Sequence, residues 1–155
     1  MQHRKSGFSL VELVVVIVII GILAAIAVPR LSRGSAGATV SAAQSDLTII
    51  RNAIAVYSAE HNSAFPNDLV NQLTKYTDVA GNTAATKDAT YKYGPYIAAM
   101  PPAPVGNIGD ATVQTDNNSP PVPSGTKGWL YNTSTGEFLI NSTAKDDTNK
   151  AYNTY

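Results

Sequence analysis

The chain has 155 residues, 44% of them hydrophobic, which suits one globular domain with an appendage; having no cysteine, it excludes a disulfide framework and a cysteine metal site. Lys plus Arg and Asp plus Glu balance at 11 each, so there is neither a basic stripe for nucleic acid nor a polyacidic tail. No nucleic-acid partner is expected.

The apolar residues are unevenly placed. Every position from Leu13 to Val28 is apolar or glycine, whereas all but one of the prolines and all but one of the tyrosines follow Ser63. The chain thus reads as an apolar amino-terminal segment and a polar, turn-rich head. Met1 to Gly7 carries Arg4 and Lys5 with no acid and leads straight into the apolar run, the layout of a membrane-targeting segment. One reading is a secretory signal peptide cut near Ala25-Ile26-Ala27. A second is an uncleaved anchor, because Phe8 to Val28, as a helix rising about 1.5 Å per residue, just crosses a hydrocarbon core of about 30 Å. Glu12, near the start of the run, is a poor choice for a signal peptide whose only task is insertion; a charge at the middle of a membrane helix would cost roughly 2.5 to 3.5 kcal/mol, and Glu12 lies nearer an end. Arg30 and Arg33 flank the far end, so the basic residues do not set an orientation.

The third reading rests on the residues themselves. A basic leader ending in Gly7, then Phe8, then Glu12 at the fifth position after the glycine, then a long apolar stretch with Pro29 at the twenty-second, closely resembles the leader and amino-terminal helix of type IV pilins and pseudopilins. The resemblance implies cleavage between Gly7 and Phe8 by a prepilin peptidase and N-methylation of Phe8. Glycine before the scissile bond lets a protease approach the backbone closely. Cleavage also creates an amine at Phe8. That amine lies a turn below Glu12 in its own helix and could meet the Glu12 of a staggered neighbour, so that the pair sets register in a low-dielectric filament core. The bland alternative is a carboxylate that only reaches the headgroup layer.

Further along, Val40, Ala43, Leu47, Ile50, Ile54, Tyr57 and His61 recur at intervals of three and four, widened by Ile49, Ala53 and Val56, and predict an amphipathic helix that docks a head. One helix over 9–62 would be about 80 Å long. Gly21 and Pro29 weaken it, by about 1 and 3 kcal/mol, and the resemblance supplies a use in loosening within a packed filament. Phe65-Pro66 ends it. Asn67 is the predicted cap of a short helix through Tyr76, with Leu69, Val70, Leu73 and Tyr76 on one side. The stretch after Tyr76 reads as connecting loop, and Met100 to Gly125 as loop with a possible strand at Ala111 to Thr115. "GWLYNTSTGEFLIN" predicts a hairpin about Thr133 to Gly136, with Trp129 facing Ile140, Leu130 facing Leu139 and Tyr131 facing Phe138, its aromatic side on the helix.

No enzyme constellation is found, and no cofactor. His61, at the end of a stripe, suits packing or capping better than catalysis. Asn-x-Ser/Thr triplets at Asn117, Asn132 and Asn141 carry little weight in so polar a composition. Gly94 to Ile97 ("GPYI"), the proline-rich connection and the late hairpin are similar to the major pseudopilins of type II secretion. That likeness raises calcium, with Asp110, Asp116, Asp146 and Asp147 as candidate donors; the alternative is a solvated tail flanked by Lys145 and Lys150.

The expected fold is therefore α+β and pilin-like: a long amino-terminal helix, membrane-inserted in its first half and amphipathic in its second, packed on a small antiparallel β-sheet head. The expected divisions are a leader at 1–7, a membrane and filament-core helix at 8–29, its amphipathic continuation at 30–62 and a head at 63–155. The resemblance implies a homo-oligomeric helical filament, made with a prepilin peptidase, an inner-membrane assembly platform and other minor pilins or pseudopilins, its subunits resting in membrane lipid before assembly. The subunit would cross the bacterial inner membrane once with its head in the periplasm, and the filament would stand in the periplasm or at the cell surface. A type II secretion pseudopilus is favoured over a type IV pilus by the absence of cysteine; a membrane-tethered or secreted ligand-binding module is the reading from another class.

Overall fold

Helix α1 runs Leu10–Glu60 as one element. The computed structural model describes residues 9–106 and 108–155, with residues 27–34 described as helical backbone alone. Gly21 and Pro29 both fall inside α1. Its far end comes two residues before the expected Asn62. There the Ser63 N–H closes on the Ser58 carbonyl at 2.8 Å, and Asn62 and Ser63 both take left-handed φ, 52° and 64°.

By internal contacts the chain forms two units, Met1–Gly37 and Ala38–Tyr155. In the first, the described side chains from Leu10 to Ile26 are all exposed, Val14 at 43% the least of the large apolar ones and Leu10 at 77% the most. Among the described residues no helix is long and apolar enough to cross a membrane. The expected span, Phe8 to Val28, begins outside the described residues, and its side chains from Ala27 onward lie outside them too.

In the second unit, the helical stripe buries Ala43, Leu47, Ile50, Ala53, Ile54, Tyr57 and His61. A large aliphatic or aromatic side chain fully removed from water contributes about 1.5 to 3 kcal/mol, so this face carries much of the core. Ile49 and Val56 were expected to widen it and do not. They are half exposed, at 51% and 50%, and line a surface groove of about 450 Å³ with Asn52, Ala53 and Tyr96. A 3.6-residue period rotates a stripe that wide out of the contact.

Helix α2 spans Leu69–Thr74, with Asp68, not Asn67, as its cap: the Asp68 carboxylate accepts from the Asn71 N–H. It ends before Tyr76, which instead begins strand β1 (Tyr76–Thr77), paired antiparallel with β2 (Thr83–Ala84). The expected loop therefore contains a small ribbon. Leu69 and Leu73 are buried, whereas Val70 is partly exposed.

The main sheet joins β3 (Val113–Thr115), β4 (Trp129–Tyr131) and β5 (Phe138–Ile140) in that order. The β4–β5 hairpin has the expected register, Trp129 to Ile140, Leu130 to Leu139 and Tyr131 to Phe138. The sheet is mixed and not purely antiparallel, because β3 pairs parallel to β4. The proline-rich connection between Thr115 and Trp129 is long enough for the crossover that parallel pairing needs. Trp129 and Phe138 pack at 5.1 Å between ring centroids, in one buried cluster with Leu47, Ile50 and Ile54 of α1. Leu130 is fully buried as well, so β4 is covered on both faces. A 3₁₀ turn at Tyr152–Thr154 follows.

Candidate functional site

The amino end of α1 begins with Ser9-Leu10-Val11-Glu12. The Ser9 N–H donates to Glu12 Oε2 at 2.8 Å. In a helix that starts at Leu10 this is the acid's half of an S-x-x-E capping box, with Glu12 reaching back to satisfy an otherwise unpaired amide. The sequence reading missed this role although the four-residue signal was present. A negative charge in the first turn also sits well with the helix dipole. Glu12 thus has a local role in a single chain, and a carboxylate's two oxygens can serve Ser9 and a second donor together. Gly7 and Phe8 lie outside the described residues.

Beyond Glu12, the exposed run to Ile26 far exceeds the scattered apolar residues of an ordinary soluble surface, which marks it as a surface for lipid or for other protein. Gly21 stands in open space, with nothing within 4 Å of an added Cβ. Its small size therefore serves no contact among the described residues. The Pro29 side chain is outside the described residues.

The four aspartates named for calcium are not gathered into one group. Asp110 Oδ1 accepts from the Thr112 N–H at 3.1 Å and the Gly128 N–H at 2.7 Å, tying the approach to β3 to the start of β4. Gly128 is needed for that approach, since an added Cβ would lie 2.1 Å from the Asp110 carbonyl. Asp116 accepts from the Asn118 and Val122 N–H groups, at 3.0 and 2.8 Å, and holds the proline-rich connection. Asp146 closes the last loop, accepting from the Thr148 and Lys150 N–H groups and from the Tyr155 hydroxyl. Asp147 is exposed beside it. These bonds hold all three carboxyls below the usual carboxylate range, Asp146 at about 2, where the Tyr155 hydroxyl is the largest cause. Among the described residues no three His, Asp or Glu side chains come together as a metal group. Calcium wants six to eight converging oxygens, which this arrangement does not present.

His61 is packed. Its ring stacks on Tyr57 at 3.8 Å, Nδ1 donates to the Tyr57 carbonyl at 2.8 Å, and Nε2 lies 3.0 Å from Thr77 Oγ1. Asn132 and Asn141 are buried. Asn132 Oδ1 accepts from the Ser134 and Thr135 N–H groups of the hairpin turn, and Asn141 Oδ1 accepts from Ser124 and Gly125. Arg51 drew no attention in the sequence, yet its guanidinium donates to the Phe138 carbonyl at 3.0 and 2.8 Å and to the Tyr155 carbonyl at 2.8 Å.

Comparison with known proteins adds to the geometry. Residues 2–28 match the family described as "Prokaryotic N-terminal methylation motif". That defines a class: proteins that carry this N-terminal methylation motif. The chain is also 37% identical over 108 residues to the type II secretion system core protein G of Aeromonas hydrophila, an alignment covering 68% of this chain and 71% of that protein. The chain belongs to the type IV pilin-like family, close to the pseudopilins. No solved structure matches it.

Proposed function

We propose that the chain is a structural subunit of a type II secretion pseudopilus, a filament that assists protein export, and that it polymerises through α1 once its leader has been removed. The observation that carries this is the exposed apolar face from Leu10 to Ile26 with Glu12 at its amino end. Such a surface needs lipid before assembly and neighbouring copies after it. The role is structural and not enzymatic. The partners are a prepilin peptidase that cuts between Gly7 and Phe8 and methylates Phe8, an inner-membrane platform and other pseudopilins. The subunit waits in the inner membrane as a single-pass protein with its head in the periplasm. Within the filament, the Phe8 amine of one copy meets Glu12 of the next, and α1 loosens between Gly21 and Pro29. Mass spectrometry of the mature amino terminus tests the processing. N-methylated Phe8 is the expected result, and a start at Val28 or an intact leader would overturn it.

A further inference from the structure

We infer that the segment from Ser142 to Tyr155 is closed by its own side chains, through an Asp146–Tyr155–Lys150 clasp tied to α1 by Arg51, and takes no calcium. Both carboxylate oxygens of Asp146 already accept hydrogen bonds. Asp146 Oδ1 accepts from Thr148 N and Oγ1 and from Lys150 N, at 2.8, 2.7 and 2.9 Å, and Asp146 Oδ2 accepts from the Tyr155 hydroxyl.

Four of the loop's carbonyls are engaged as well. Ala144 O accepts from Tyr152 N at 2.9 Å, Ser142 O from Asn153 N at 3.1 Å, Lys150 O from Asp146 N at 2.9 Å, and Asp146 O from Asn149 N at 3.1 Å. A cation placed at Asp146 would meet the N–H and O–H protons of Thr148, Lys150 and Tyr155 around both carboxylate oxygens. It would also compete with a charge already present, since the Lys150 ammonium lies over the Tyr155 ring, 3.8 Å from its centroid. Arg51 then fixes the Tyr155 carbonyl to the helix that carries the core. The acidic pair Asp146–Asp147 therefore looks like a metal loop in the sequence, but Asp146 works as a turn anchor in the fold.

The test uses the full chain in detergent, with the fluorescence of its one tryptophan, the buried Trp129, as the reporter of unfolding. A site holding calcium at about a hundred times its Kd would raise Tm by about 5 to 10 °C. The clasp predicts the same Tm in millimolar calcium and in chelator. Asp146→Asn keeps an oxygen for the Thr148 and Lys150 amides but replaces the charged acceptor of Tyr155 with an uncharged NH2 group, and Tyr155→Phe removes the bond from the other side. Each single variant should lower Tm, and the double variant should lower it no further than the worse single one. A calcium-dependent rise in the Tm of the unaltered chain, or full additivity of the two substitutions, would overturn the inference.

Discussion

Arg51 shows how a single side chain can join segments that the sequence gives no reason to connect. Its acceptors are backbone carbonyls, one of them 87 residues away, and a carbonyl leaves no trace in residue type. Arg51→Met should cost about 2 to 3 kcal/mol in urea unfolding, because the carbonyls of Phe138 and Tyr155 lose a charged donor in a part-buried site. Asp146 and Tyr155 set a pH window. The Asp146 pKa falls from 3.8 to about 2, so its contribution is complete above pH 3.8 and is lost as pH falls through 2. The Tyr155 pKa rises from 10.0 to about 12, chiefly through the bond to Asp146, so its contribution holds below pH 10.0 and is lost as pH rises through 12. A Tm profile should therefore show no change from this pair between those limits, and tyrosinate absorbance should develop at higher pH in the unaltered chain than in Asp146→Asn.

Elements were legible in the sequence where local periodicity decides them. The spine of the α1 stripe from Ala43 to His61 and the hairpin register follow from residues close in the chain, and both appear in the structure, though Ile49 and Val56 fall outside the buried face. What was misread depends on distant partners. The strand expected within Ala111 to Thr115 exists as β3, but its parallel pairing with β4 is set by the crossover between them, which no local pattern encodes. The α2 cap moved to Asp68 because Asn67 and Asp68 are both able caps and only the path of the chain chooses. The hairpin turn turns on Gly136, with φ at 73° and an added Cβ only 2.5 Å from the Phe65 ring. Gly136→Ala should destabilise the chain by about 1 to 3 kcal/mol, read by the same urea unfolding. Gly21→Ala should do the opposite locally, strengthening α1 by about 1 kcal/mol without a clash. If the filament uses loosening there, circular dichroism of the subunit should show equal or greater helicity while filament yield falls.

For the whole molecule, one pattern organises the rest: an apolar segment with exposed side chains and a head with its own buried core, described as separate units. The family was legible at the amino end because its motif lies in one continuous stretch of sequence, residues 2–28, in which Gly7, Phe8 and Glu12 stand at fixed spacing. Asp110, Asp116 and Asp146 were not legible as turn anchors, because aspartates that cap turns and aspartates that hold a metal share the same residue type and loop context.

The central claim is that the charge of Glu12, and not only its cap, joins one subunit to the next. Glu12→Gln separates the two roles, since a glutamine at this place in the box still accepts from the Ser9 N–H but carries no charge to meet an amine. The direct measurement is electron microscopy of filaments made by Glu12→Gln in cells with the prepilin peptidase and assembly platform. The account predicts a cleaved subunit that enters the membrane normally and makes no filaments, as Glu12→Ala would. Filaments of normal number and length from Glu12→Gln would contradict it and leave Glu12 a helix cap.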